Sequence, residues 1–271
     1  RNIVEAEYDP VNINIGEFKP NTTEQQNRLI IEKEILVDYN IPKTTLVNPN
    51  AFAVIVGNSA YEKTGSVKYA VKDAQTIYKY LVNVLGFQEG NIFYKENANK
   101  GFFEEIFGSQ NNYKGRLFNS LKEPSKSEIF IYYSGHGAPG LRDKKGYFVP
   151  IECDPIYVEL TGYSQELLID NLSKIQAKSV TLILDACFSG ANILDNISSI
   201  FPEVSEPIYK IENGVMLSSS KANQVSSWYD EMQHGLFTYF FIKGICDTKK
   251  WDKNSDAILT YQELFEYMSD N

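Results

Sequence analysis

Three stretches of this chain are apolar almost without interruption, and each stops abruptly at a polar or glycine-rich turn. Phe52-Ala53-Val54-Ile55-Val56 runs into Gly57-Asn58, Ile129-Phe130-Ile131-Tyr132-Tyr133 into Ser134-Gly135-His136-Gly137, and Thr181-Leu182-Ile183-Leu184 into Asp185-Ala186-Cys187. A strand with one face in water alternates apolar and polar residues, so an unbroken run signals burial on both faces. Helical periodicity fills the intervals. A helix is expected over 67–85, with Ala70, Ala74, Ile77 and Leu81 on its apolar stripe, Asp73 outside the centre of that stripe and Gly86 as its stop. A short strand is expected over 91–95, a helical region over 102–121 interrupted by Gly108, a strand over 147–151, a helix over 165–175, a strand over 215–218, and closing helices over 236–246 and 260–268. Strands alternating with helices describe an α/β domain, with a mostly parallel central sheet and helices on both faces.

The chain has 271 residues and 43% hydrophobic content, enough for one large folded domain. Residues 1–50 show no core periodicity before Leu29-Ile30-Ile31 and end in a turn-rich run, so they are expected to form an arm or pro-region-like segment ahead of a domain over 51–271. A net charge of −9 argues against nucleic acid or an anionic membrane as partner. No apolar run approaches the length of a membrane-spanning helix. Cys153, Cys187 and Cys246 have neither zinc-site spacing nor the density of a disulfide scaffold. The first residue is arginine, which leaves room for a removed leader and leaves the compartment open.

The chemistry-bearing residues lie at strand ends. In an open parallel sheet the carboxyl ends of neighbouring strands share one crevice, where sites form. His136 and Cys187 each follow such an end, 51 positions apart. An imidazole beside a thiol can take its proton and return it to a leaving amine. An inert buried thiol and a hydrogen-bonded turn histidine would be the alternative.

The two strand ends resemble the histidine and cysteine signatures of the caspase-like cysteine peptidases of clan CD, whose histidine lies about 50 residues upstream of the nucleophile. Ser134-Gly135-His136-Gly137 and Asp185-Ala186-Cys187-Phe188-Ser189-Gly190 are most similar to the metacaspase, orthocaspase and paracaspase branches, and His234-Gly235-Leu236-Phe237-Thr238-Tyr239 to the small-subunit half of bacterial members. The resemblance implies the caspase-haemoglobinase fold and a cysteine-type endopeptidase, a thiol protease using Cys187 as nucleophile and His136 as general acid/base. The backbone N–H groups of Gly137 and Cys187 would form the oxyanion hole. It implies no cofactor and no metal. Where animal caspases carry glutamine two places before the cysteine, this chain has Asp185; with Asp73 and Gln224, it would form a pocket favouring arginine or lysine before the scissile bond. The expected partners are thus a protein or peptide substrate of that kind and an activating or inhibiting protein, in a regulated role such as bacterial stress or defence. His234 is expected to be structural.

Calcium-dependent metacaspases carry an acidic cluster after the histidine motif, whereas 138–145 offers only Asp143 among Arg142, Lys144 and Lys145, so calcium is not expected there. From Ser179 to Tyr209 there is no lysine or arginine, which leaves Lys210 and the 142–145 loop as the central positions where a basic-specific enzyme would cut itself. A second class of function stays open: a catalytically silent scaffold, or a latent zymogen awaiting a partner or removal of its first residues. Against a scaffold stands Asp185, for which it has no use. A thiol-redox role lacks a second cysteine near Cys187.

Overall fold

The computed structural model describes residues 11–12, 37–39, 41–188, 211, 213–219, 228–246 and 258–270. Its elements, in chain order, are β1 (Ala51–Gly57), α1 (Ala70–Asn83), β2 (Ile92–Glu96), α2 (Lys100–Phe107), α3 (Arg116–Ser120), β3 (Glu128–Ser134), β4 (Gly137–Pro139), β5 (Gly146–Phe148), α4 (Val158–Thr161), β6 (Tyr163–Ser164), α5 (Gln165–Ser173), β7 (Ser179–Asp185), β8 (Gly214–Ser218), β9 (Trp228–Tyr229), β10 (His234–Gly235), α6 (Leu236–Cys246) and α7 (Tyr261–Asp270). A two-residue ladder also pairs Val11–Asn12 with Ile258–Leu259.

Five strands form the central sheet in the order β2-β1-β3-β7-β8, every neighbouring pair parallel. The unbroken apolar runs divide residue by residue between its two faces. Val54, Val56, Ile129, Ile131, Leu182 and Leu184 face one core with Phe103 and Ile106 of α2 and Leu168 and Leu172 of α5. Their neighbours Ala53, Ile55, Phe130, Tyr132 and Ile183 face the other, with Ile77 and Leu81 of α1 and Ile242 of α6. A strand with apolar partners on both sides has no position to spare for a polar residue. Each buried aliphatic side chain contributes about 1.5–3 kcal/mol relative to exposure.

The strand ends are level. Gly57 pairs with Ser134 and Ser134 with Asp185, so β1, β3 and β7 finish at one height. Beyond that level the chain folds a smaller antiparallel sheet, β4-β5-β6, whose hairpin packs Ala138, Tyr147, Val149, Cys153 and Val158 together.

Several expected boundaries move for local reasons. The helix expected over 67–85 begins at Ala70, because Val67 is held back by Ser59 through both its N–H (3.1 Å) and its carbonyl (2.8 Å), and Tyr69 takes a left-handed φ of 63°. The region 102–121 splits into α2 and α3 where Gly108 adopts φ 89°. The loop expected from 138 begins as a strand, since Gly137–Pro139 pairs with Gly146–Phe148; the strand expected over 147–151 ends at Phe148. Asp73, outside the centre of the apolar stripe of α1, is buried, at 1% exposure. No described helix is long and apolar enough to cross a membrane.

Candidate active site

The level ends of β3 and β7 set His136 and Cys187 each two residues beyond the paired position Ser134–Asp185. The two ends are also stitched across, Gly135 N–H donating to the Asp185 carbonyl at 3.3 Å. Both residues are nearly buried, His136 at 7% exposure and Cys187 at 8%. Phe188 anchors the chain after Cys187, its ring edge-on to Phe148 at 5.5 Å. Gly137 is required beside it, because a Cβ there would lie 2.6 Å from the Phe188 ring.

The imidazole is held on three sides. Its Nε2 lies 2.8 Å from the carbonyl of Gly65. A carbonyl only accepts, so Nε2 carries the proton and Nδ1 keeps the lone pair. The ring of Tyr61 sits 4.7 Å from the imidazole, and its hydroxyl accepts the His136 backbone N–H at 2.8 Å. Tyr133 donates to the His136 carbonyl at 2.6 Å, and Val149 N–H does so at 3.1 Å. Burial lowers the pKa of His136, so the ring is neutral at physiological pH, the state of a base. Neither Tyr61 nor Gly65 was singled out in the sequence, where the 58–69 stretch has no periodicity.

Asp73 and Asp185 arrive from different elements, α1 and the end of β7, and meet at Gly235, where an added Cβ would run into the Asp185 carboxylate and come within 3.1 Å of Asp73. Asp185 Oδ2 accepts from the Thr238 hydroxyl at 2.6 Å and the Thr238 N–H at 3.3 Å. Thr238 has one hydroxyl hydrogen, so Tyr132, 2.7 Å away, donates to it in turn. Asp73 Oδ2 accepts from Gly235 N–H at 3.0 Å, and its Oδ1 lies 2.5 Å from His234 Nδ1. Burial raises the pKa of both carboxyls, and for Asp185 the charge of Asp73 adds to it, bringing it to about 6.

Gln224, with Ser189 and Gly190, lies outside the described residues. Cys153 is buried and forms no disulfide, its thiol pushed up to about 11 by burial, and the exposed Cys246 donates its thiol hydrogen to the Tyr80 hydroxyl at 3.1 Å. Asp143 is committed to the Lys145 N–H and the Tyr147 hydroxyl. Among the described residues no three His, Cys, Asp or Glu side chains group as metal ligands would.

Compared with known proteins, residues 50–271 match the family model described as the caspase domain. The chain belongs to the caspase domain family. Among solved structures, caspase-1 from Spodoptera frugiperda superposes with a TM-score of 0.53 at 13% identity, covering 87% of this chain and 81% of that one. No curated protein sequence matches significantly. The central parallel sheet with helices on both faces is the caspase-like fold. Members of the caspase family are cysteine peptidases, hydrolases acting on protein substrates.

Proposed function

We propose that this caspase domain is a cysteine endopeptidase that cleaves after arginine or lysine, with a Cys187/His136 dyad and an acidic pocket built on Asp185 and Asp73. The observation that supports the reading is the common level of β3 and β7, each followed two residues on by His136 or Cys187, together with the approach of Asp73 and Asp185 at Gly235. The Cys187 thiol gives its proton to Nδ1 of His136 while the sulfur attacks the carbonyl carbon of the scissile peptide. The oxyanion accepts hydrogen bonds from the N–H groups of Gly137 and Cys187. Collapse breaks the C–N bond as Nδ1–H protonates the leaving amine, and water, deprotonated by the same nitrogen, hydrolyses the thioester. The Gly65 carbonyl holds the tautomer that this sequence of transfers needs. Gln224 is a further pocket wall in this proposal.

Cleavage of fluorogenic peptides ending in arginine, lysine or aspartate tests it. The wild type is expected to cut the basic peptides, Cys187→Ala to be silent, and Asp185→Ala to lose roughly 10–100-fold in kcat/KM on them, the worth of a charge-assisted hydrogen bond. Preference for the aspartate peptide sinks the assignment. The burial of both pocket carboxylates favours a second reading, a latent form whose pocket opens on activation. Silence of the wild type that ends when residues 1–50 are removed supports it; silence after removal supports a scaffold.

A further inference from the structure

His234 is wholly buried, at 0% exposure, and both its ring nitrogens face carboxylates. Nδ1 lies 2.5 Å from Asp73 Oδ1; Nε2 lies 3.8 Å from Asp38 Oδ2 and has no hydrogen-bond partner among the described residues. A neutral ring with its proton on Nδ1 would turn a bare, buried lone pair towards an anion, an arrangement that costs free energy twice over. Protonation converts it into attraction on both sides.

The charged groups that face this ring come from three elements. α1 supplies Asp73 and Lys72, the segment 37–39 supplies Asp38, and the end of β7 supplies Asp185 across Gly235. Burial alone would raise the Asp38 carboxyl, but Lys72, drawn to it at 3.0 Å, holds it below the usual range. Asp38 is itself pinned, since Tyr80 of α1 donates to the carbonyl of the preceding Val37 at 2.7 Å.

We propose that His234 is a positioning residue for the acidic pair: held as an imidazolium between Asp73 and Asp38, it keeps both Asp73 and Asp185 ionised near neutral pH. This rests on the reading of those two carboxylates as the pocket for a basic side chain. Two carboxylates in one buried site otherwise share a proton, because each disfavours the charge of the other. A pocket with a shared proton presents half the charge to arginine or lysine. Asp38 thereby makes the segment ahead of the domain part of the specificity apparatus, without touching substrate.

The chain contains two histidines, so ring nitrogen-15 NMR of the full chain labelled at histidine reads the charge directly, and His136→Ala leaves the His234 signal alone. The imidazolium pattern is expected at pH 7, and Asp38→Asn to reduce its share, as loss of a nearby negative charge does. A neutral tautomer at pH 7 overturns the proposal whether or not the chain cleaves peptides. In turnover, His234→Gln is expected to raise KM for an arginine peptide roughly tenfold at pH 6.5, with recovery towards pH 9 and kcat within about twofold. A loss carried by kcat at unchanged KM overturns it. Asp38→Asn, at a partly exposed site, is expected to move KM the same way by less and decides the matter if His234→Gln does not fold. Should the wild type cut no peptide, the pocket reading falls, and the NMR result alone stands for or against the buried imidazolium.

Discussion

Asp185 carries two opposed demands. A carboxyl that titrates at about 6 in the fold and near 4 in an unfolded chain favours the neutral form on folding. The sign follows: no cost below about pH 4, a cost that grows as pH rises to about 6, and a constant cost above. Asp185→Asn should therefore stabilise the domain at pH 8, by up to on the order of 2–3 kcal/mol, and leave it unchanged at pH 4. Thermal unfolding at the two pH values checks this, and equal effects at both would show that the charge is not the cause. The gain would come with lost binding of basic peptides, a trade expected where a site holds strain that the fold must offset. At this scale the sequence was only half legible. Asp185 stood out because a buried strand has no use for a carboxylate, and Cys187 and His136 because they close such strands. The burial of Asp73 could not be seen, since its partner His234 lies 161 positions away. Tyr61 and Gly65 left no periodic trace at all.

At the scale of elements, the strands were the legible part, because burial on both faces writes itself as unbroken apolar sequence. Boundaries failed where hydrogen bonds from outside the helix overruled local propensity, as the two between Ser59 and Val67 do ahead of α1. Packing is tight at the junction of β10 and α6. Gly235 there leaves the space that the two carboxylates occupy, and α6 begins at the next residue. Gly235→Ala should force the junction apart from Asp185 at a cost of about 1–3 kcal/mol, typical of overpacking. A lowered melting temperature with a raised KM for arginine peptides is the expected pair of results; an unchanged melting temperature would mean that the junction gives way freely.

For the molecule as a whole, the question is where it can be cut. A protease needs its target chain extended and free, and the 142–145 loop is neither. Gly140 N–H binds the Lys145 carbonyl at 2.8 Å, Glu159 accepts from the N–H groups of Arg142 and Asp143, Lys144 sits at φ 55°, and Lys145 pairs with Glu166. Of the central basic positions, the structure thus argues against 142–145, while Lys210 lies outside the described residues. Intact mass after long incubation should show no cleavage between 142 and 145; a fragment ending there would show that the loop opens readily. The parallel strands β3 and β7, meanwhile, run in step over seven pairs from Glu128–Ser179 to Ser134–Asp185. They act as two gears on one shaft. One residue inserted into either alone would advance its terminus by about 3.3 Å and turn every later side chain to the opposite face, throwing thiol and imidazole out of phase. Lengthening that preserves the site must therefore come in matched additions to both strands.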